Sequence, residues 1–277
     1  MKNKPFLAVI AAAILSGSSG VFIKNIEMAA TSLGFIRSLL PVLMMAGIMF
    51  YKGIPLFRGN YRLMMVASGL NALRLFLFIT AYTYTNIGNA VIIIFTWPVF
   101  VTIFSAFFLG ESTSLRNILL LILAFVGIVI IYTGQSLSFE NDDFLGMTAA
   151  LGTATCHAIG VVIFKKESVN YSRYELLFYQ NLLGILLFLP FFITTPLPSG
   201  QDIGVASVYS LLLGTLGFSL FLYGLTYLKA SVASAIAYIE IVSALFFAVM
   251  VMREPITLNI ILGGGLVVVS TAFLRRR

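Results

Sequence analysis

The chain has 277 residues, of which 60% are hydrophobic and only 10% are charged, and its mean hydropathy is +1.04. Soluble globular chains carry about a quarter charged residues, so this composition excludes a soluble domain and indicates a protein of the lipid bilayer. The net charge of +7 does not indicate a nucleic-acid partner, because the sequence has no basic patch interleaved with aromatic residues.

Ten apolar stretches are long enough to cross a bilayer, since a hydrocarbon layer of ~30 Å needs about 20 residues of helix. In chain order they are predicted at 5–24, 33–51, 61–84, 88–109, 115–134, 144–164, 173–194, 204–228, 230–252 and 257–274. The first follows Lys2 and Lys4 and resembles a secretory signal, but its nearly full bilayer length favours a helix that is kept. The predicted fold class is an all-α integral membrane protein with ten transmembrane helices.

Basic and acidic residues are unequally divided between the predicted loops. If the N-terminus lies in the cytoplasm, the opposite loops hold only Lys24 and Arg253 among the lysines and arginines, together with most of the acidic residues. This positive-inside distribution predicts that both termini are cytoplasmic, in a bacterial inner (plasma) membrane. The expected partners are the lipid bilayer, including its anionic lipids, and a small solute, without nucleic acid, while the oligomeric state stays open.

The second half of the chain repeats the layout of the first with a shift of 143 residues. The paired positions include Glu111 and Glu254, Tyr84 and Tyr227, and Asn71 and Gly214. An acidic segment, 135–143, joins two units of five spans, 1–138 and 139–277, within one structural domain. Because five is odd, the second unit starts on the opposite face, so the repeats are predicted to be inverted. Inverted repeats favour a transporter that works by alternating access.

One predicted packing face stands out in the sixth span. Gly146, Ala150, Ala154 and Ala158 recur at every fourth residue. Small residues at helical spacing let two helix backbones approach each other in lipid. We therefore expect this face to pack against another helix.

Three charged residues fall within predicted spans, where a central charge costs ~2.5–3.5 kcal/mol. Arg74 and Glu240 lie near mid-span, and Arg37 lies about one turn inside its span. Glu240 is predicted to bind a cationic group or to carry a proton, and Arg74 to bind a carboxylate through paired hydrogen bonds. Two alternatives stay open: a fixed Arg74–Glu240 salt bridge, and an Arg37 side chain that extends to the membrane surface.

Polar and aromatic residues in the spans predict the rest of a solute site. They are Asn71, Tyr82, Trp97, His157, Tyr179, Gln180, Asn181, Tyr238 and Ser243. Pro98 removes a backbone hydrogen bond at mid-span, so Trp97 and Pro98 are predicted to form a kinked cavity wall and gate, or else a static bend. Pro190 is predicted to end the seventh helix. With one histidine and one cysteine the chain cannot supply a zinc ligand set, so no metal and no cofactor are expected, apart from coupling to protons.

Four short motifs occur in a characteristic order. They are Arg37 in the second span, Gly110–Glu111 after the fourth, Tyr238–Ile239–Glu240 in the ninth, and Arg253–Glu254 after it. In this order they resemble the drug/metabolite transporter superfamily, in particular its EamA-type ten-helix members. The family commonly has a Glu-Pro pair in the ninth helix. Here Ile241 follows Glu240 in place of the proline, whereas the corresponding pair in the fourth helix, Trp97–Pro98, has the proline without the acid. The resemblance implies a carrier of small organic solutes, such as amino acids, often exported, held between Glu240 and Arg74.

Two other classes of function are alternatives to transport. An intramembrane enzyme is not predicted, because the sequence has no Gly-x-Ser-x-Gly elbow and no His-Glu-x-x-His motif. A flippase for lipids or lipid-linked substrates, or an intramembrane binding subunit, could use the same fold with a groove open to the lipid.

Overall fold

The computed structural model describes residues 3–132, 141–253 and 257–274, and every regular element within these ranges is helical. Ten spans, labelled α1 to α10, follow one another along the chain. They are α1 (Lys4–Gly17 and Ser19–Lys24), α2 (Ala30–Tyr51), α3 (Tyr61–Tyr84), α4 (Ile87–Ile94 and Trp97–Leu109), α5 (Leu115–Ile131), α6 (Asn141–Glu167), α7 (Arg173–Thr194), α8 (Gly200–Tyr209, Ser210–Gly217 and Phe218–Tyr227), α9 (Ala230–Ile236 and Ile239–Met252) and α10 (Leu258–Ala272).

The composition and length of these spans fit a bilayer. Eight of the described spans are long and apolar enough to cross a membrane, and α5 and α10 are shorter apolar helices. The predicted all-α membrane fold of ten helices is therefore confirmed. The predicted bounds of most spans differ from the observed ones by only a few residues.

The helices of the two halves follow the shift of 143 residues found in the sequence. Ala30–Tyr51 corresponds in this way to Arg173–Thr194, and the ends of α3 and α8 correspond at Tyr84 and Tyr227. Packing between the halves is reciprocal: α1 packs on α8 and α9, whereas α6 packs on α3 and α4. Glu254 and residues 135–140 lie outside the described residues. The inverted orientation of the two units in the membrane stays a prediction.

The loops gather at two ends of the helical bundle. At the end named the basic end, formed by loops 52–60, 110–114, 168–172 and 228–229, the Arg58 guanidinium pairs with the Glu175 carboxylate. At the other end, named the acidic end and formed by loops 25–29, 85–86 and 195–199, the backbone N–H of Glu27 donates to Asp202 Oδ1 over 2.9 Å. Alternate loops therefore lie at the same end of the bundle, as expected for a chain in which each span crosses from one end to the other.

Close approach between the halves depends on small residues. Ala150, Ala154 and Ala158 have no exposed surface, and a Cβ on Gly146 would collide with the backbone of Thr85 on the acidic side of α3. The predicted packing face of α6 is thus a contact with α3. The equivalent contact joins α8 to α1. A Cβ on Gly224 of α8 would collide with Val9 of α1. Larger side chains at these positions would force the helices apart.

Two spans are interrupted at corresponding positions. The break in α4, at residues 95–96, was predicted from Pro98, which cannot donate a backbone hydrogen bond. The break in α9, at residues 237–238, has no proline and was not predicted. There the N–H groups of Tyr238, Glu240 and Ile241 each bond to the third preceding carbonyl, so a tight turn replaces α-helical bonding.

The prediction for Pro190 was wrong. The α7 helix contains Pro190 and continues to Thr194. The hydroxyl of Thr194 donates to the Pro190 carbonyl over 2.8 Å. A proline one turn before a helix end removes a single backbone donor, and the remaining turn keeps the helix intact.

Candidate functional site: a charged cavity between the halves

A cavity of about 200 Å³ lies between the two halves, and every described span except α5 and α10 contributes to its lining. The lining extends along α1 from Val9 to Ile23, which is next to the acidic end of that helix and is 46% exposed. Toward the basic end the lining stops more than a turn inside the bundle, at Val9 and at Phe221 of α8. The cavity therefore reaches the acidic end and does not reach the basic end.

Three charged residues face this cavity: Arg37, Arg74 and Glu240. Glu240 is the second residue after the break in α9, so the interruption places its carboxylate at the cavity wall. The Nε of Arg74 donates to Asn71 Oδ1 over 3.1 Å, and the Arg37 guanidinium lies 5.7 Å from the ring centroid of Tyr209.

None of these three charges forms an ion pair. Within residues 3–132, 141–253 and 257–274, the one ion pair shorter than 4 Å joins Arg58 to Glu175. The alternative of a fixed Arg74–Glu240 salt bridge is therefore absent from this structure. Arg37 lines the cavity, as the prediction of a solute site requires. All three groups line the same cavity, where a ligand can reach them.

Amide side chains supply polar contacts beside the charges. Asn71 Nδ2 donates to the Gln180 backbone carbonyl over 2.7 Å, which ties α3 to α7. The side-chain Oε1 of Gln180 is buried and has no hydrogen-bond partner. Gln180 lines the cavity and an adjoining void of about 10 Å³ next to Cys156. An unsatisfied buried acceptor costs about 1–3 kcal/mol, so a ligand that donates to it would gain affinity.

An aromatic wall closes one side of the cavity. Trp97 is the first residue after the break in α4, and its ring lies 4.5 Å from the ring of His157 in an edge-to-face arrangement. Phe221 of α8 contacts the same indole at a centroid distance of 6.4 Å. The break in α4 thus directs the Trp97 indole toward the cavity, in agreement with the predicted kinked cavity wall.

The cavity brings together most of the residues that the sequence marks as candidates. Those in its lining are Arg37, Asn71, Arg74, Trp97, His157, Gln180, Asn181 and Glu240. They come from six different spans, and most were selected because lipid disfavours polar and charged groups.

Three candidates lie elsewhere. Tyr82 is on an exposed face of α3, with its ring 4.6 Å from that of Phe78. Tyr238 is fully buried, and its hydroxyl donates to the Phe95 carbonyl rather than to the cavity. Pro98 is buried outside the lining, so it shapes the break in α4 without facing the cavity.

Two further polar residues named with them are structural. The Tyr179 hydroxyl donates to the Leu56 carbonyl over 2.7 Å. The Ser243 hydroxyl donates to the Ile14 carbonyl over 3.0 Å. Ser243 also packs so closely on Gly17 that a side chain at Gly17 would collide with it. Each of these bonds ties two segments together outside the cavity lining.

Sequence reasoning missed several lining residues. Ser16 and Ser19 of α1 face the cavity, and their three-residue spacing was a usable signal because it places both on one helix face. Tyr209 of α8 was a second signal, as a polar group in an apolar span. The π-helix Ser210–Gly217 also lines the cavity, and neither hydropathy nor polar spacing predicts π-helical bonding.

The π-helix supports the position of Arg37. Pro41 of α2 has no N–H, so the carbonyl of Arg37, four residues earlier, lacks its helical donor. The Ser210 hydroxyl lies 3.3 Å from that carbonyl and 3.3 Å from the carbonyl of Ile36. Ser210 therefore contacts the backbone that carries the cavity's outermost arginine.

Charged side chains hold the basic end together. Glu111 Oε2 accepts from the N–H of Ala230 over 2.7 Å, at the positive N-terminus of α9. Lys165 Nζ donates to the carbonyls of Leu225 and Leu228, each over 2.8 Å, at the C-terminus of α8. In loop 52–60, hydrogen bonding to Glu175 raises the pKa of the Arg58 guanidinium. These contacts lie between the cavity and the basic end.

Ten helical spans around a charged cavity define a multipass membrane protein with a solute-sized central site. The chain belongs to the EamA-like transporter family, whose sequence model matches residues 3–133 and again residues 144–276. The family match covers nearly the whole chain, once in each half. It therefore agrees with the resemblance seen in the motifs.

Similar proteins carry transporter names. An uncharacterized transporter of Archaeoglobus fulgidus is 26% identical over 263 residues, which cover 94% of this chain and 92% of that protein. The uncharacterized transporter YoaV of Bacillus subtilis is 28% identical over 66% of this chain, and the match spans 65% of YoaV. The pseudopaline exporter CntI of Pseudomonas aeruginosa is 25% identical, with 69% of this chain and 66% of CntI covered.

A solved crystal structure has the same fold. Its chain superposes with a TM-score of 0.87 at 14% sequence identity, and the superposition covers 98% of this chain and 96% of the other. At this identity the likeness concerns the arrangement of the helices alone.

Proposed function

We propose that the protein carries small organic solutes, amino acids or related metabolites, across the membrane by alternating access. The observation that supports this most directly is the cavity between the halves, in which Arg37, Arg74 and Glu240 face a common space without forming an ion pair. A charged group in a membrane span needs a partner or water. A solute with opposite charges at its ends supplies that partner, with its carboxylate at Arg74 and its cationic group at Glu240.

Alternating access is supported by the difference between the two ends. The cavity lining reaches Ile23 at the acidic end, whereas Glu111 and Lys165 join spans at the basic end. Transport also requires a second conformation, in which the cavity is open at the basic end and closed at the acidic end. The breaks in α4 and α9 and the π-helix in α8 are the points at which these spans can bend, because irregular bonding concentrates there.

The orientation and direction are part of the same proposal. With both termini in the cytoplasm, as the loop charges predict, the basic end is cytoplasmic and the cavity communicates with the outside. The name of the Pseudomonas aeruginosa relative supports export as the direction. Glu240 is the group we propose to exchange a proton when solute leaves, since it is the one carboxylate among the described lining residues.

Flux in vesicles tests this function. We expect Glu240→Gln and Arg74→Ala to abolish uptake of amino acids by purified protein in lipid vesicles. The matched controls are Glu27→Gln and Arg62→Ala, which remove the same charges from exposed positions outside the cavity. Normal flux in both cavity variants would refute the site. Lipid scrambling by the wild type, without flux of any solute, would favour a flippase instead.

A further inference from the structure

We propose that the preferred cargo carries one more negative than positive charge, as an amino acid with a second carboxylate does. This inference rests on the proposed carrier function and adds the charge class of its substrate. It comes from the balance of charges in the cavity, from the donors that these charges leave free, and from the size of the space.

The charge balance of the cavity is positive. Its described lining contains two arginines and one glutamate, and no lysine or aspartate. With Glu240 ionised and His157 neutral, the lining has an excess of one positive charge. An uncompensated charge in surroundings of low dielectric constant is costly, and none of the three groups has an ion-pair partner within the described residues. A cargo with a net charge of −1 would neutralise the excess.

The two arginines leave donors for two carboxylates. Arg74 uses its Nε to bond Asn71, so its terminal N–H groups remain available. Arg37 lies 5.7 Å from the ring centroid of Tyr209 and also lines the cavity, where its guanidinium can meet a ligand. The edge of a guanidinium matches a carboxylate through paired hydrogen bonds. Each arginine can therefore hold one carboxylate.

One cationic group completes the match. Glu240 accepts from an ammonium group, and the unsatisfied Oε1 of Gln180 offers a second acceptor in the same lining. The carboxylate of Glu240 is a charged acceptor and the amide oxygen of Gln180 is a neutral one. Together they suit a protonated amine, which has several N–H donors. The cavity thus presents two carboxylate positions and one amine position.

The volume restricts the cargo to a small compound. About 200 Å³ is below the range of ~300–1,000 Å³ that accommodates drug-sized ligands. An amino acid with a short acidic side chain agrees with this space and with the three charged groups. A larger anion with the same charge would not fit the cavity in this conformation.

Pairs of cargoes that differ in one charge test the inference. L-Glutamate and L-glutamine have nearly the same shape, as have L-aspartate and L-asparagine. We expect purified wild-type protein to bind the acid of a pair at least about tenfold more tightly than the amide, measured by thermal stabilisation over a titration of each compound. Tighter binding of both amides than of both acids would overturn the inference.

Charge variants give a second, independent result. Arg37→Gln leaves one arginine and one glutamate, so we expect its preference to move to the amide of each pair. Glu240→Gln raises the excess to two positive charges, so we expect it to prefer succinate to L-glutamate. Arg62→Gln, which removes a charge at an exposed position, should keep the wild-type preference. An unchanged preference in folded, monodisperse Arg37→Gln and Glu240→Gln proteins would contradict the proposal.

Failure of this inference differs from failure of the carrier function. If the wild type transports a neutral amino acid best, and that flux requires Arg74 and Glu240, the charge class is wrong and the carrier function stands. If vesicles take up no anionic, zwitterionic or cationic amino acid at all, both proposals fail.

Discussion

The hydroxyl of Tyr238 donates a hydrogen bond of 3.0 Å to the backbone carbonyl of Phe95. The two residues are 143 positions apart, and each lies where its span is interrupted. In α4 the N–H of Val99, which a regular helix would direct to Phe95, bonds to the Thr96 carbonyl over 2.9 Å. The Tyr238 hydroxyl therefore satisfies a carbonyl that the interruption leaves without a helical donor, and it joins the two interrupted spans beside the cavity.

Removal of this hydroxyl should destabilise the protein. We expect Tyr238→Phe to lower the free energy of unfolding by about 1 kcal/mol, because the Phe95 carbonyl loses its donor in a water-poor interior. Thermal unfolding in detergent measures the change. Tyr51→Phe is the matched control, since Tyr51 is 90% exposed. Equal melting temperatures for the two variants would show that the bond contributes nothing.

Tyr82 and Tyr238 show what a sequence can and cannot predict about this fold. Both lie in apolar spans, and the sequence marks both as cavity residues. One is exposed on α3 and the other is fully buried against α4. The length of each span follows from the thickness of the bilayer and does not depend on the neighbouring spans. The direction of a side chain depends on how the spans pack, and hydropathy alone does not contain that information.

The charged residues were predictable for a different reason. Arg37, Arg74 and Glu240 all reach the cavity because the cost of a charge in lipid allows few other locations. The break in α9 was not predictable by the same reasoning, since Ile241 occupies the place of the expected proline. Tight-turn bonding at Tyr238 and Glu240 produces the break without it.

Ser210 and Pro41 should be energetically coupled. Ser210→Ala removes the hydroxyl beside the Arg37 carbonyl, and we expect it to cost about 1 kcal/mol. Pro41→Ala restores an N–H that can bond to this carbonyl, so the same serine substitution should cost less in that background. A double-mutant cycle of unfolding free energies measures the coupling. Additive effects within about 0.3 kcal/mol would mean that the two residues act independently.

Corresponding turns after α4 and α9 use different residues in the left-handed region. Gly110 has φ 65°, and Arg253, at the equivalent position, has φ 57°. A side chain in this region costs about 1–2 kcal/mol, which glycine avoids. We expect Arg253→Gly to raise the unfolding free energy by about 0.5–1 kcal/mol, after the larger entropy of glycine in the unfolded chain is subtracted.

The reverse change at the equivalent site provides the control for this prediction. Gly110→Ala should destabilise the protein by about 1 kcal/mol, because alanine acquires the strain that Arg253 already has. Both variants are compared with the wild type by thermal unfolding under the same conditions. A melting temperature that falls in Arg253→Gly would indicate that its side chain makes contacts worth more than the strain.

Lys165 should control access from the basic end. Its ammonium group donates to three carbonyls at the end of α8, those of Leu225, Thr226 and Leu228. Lys165→Met keeps the length of the side chain and removes every donor. Hydrogen bonds from a charged donor contribute about 1.5–3 kcal/mol, so their loss should shift the equilibrium toward opening at the basic end by roughly tenfold or more.

The single cysteine reports this opening. Cys156 lines the void beside the cavity, and the chain contains no other thiol. A small membrane-impermeant methanethiosulfonate added at the basic end of oriented vesicles should modify Cys156 faster in Lys165→Met than in the wild type, by about the same factor. Lys166→Met, which removes an exposed charge from the next residue, should leave the rate unchanged. If both lysine variants react at the wild-type rate, the bonds made by Lys165 do not limit access from the basic end.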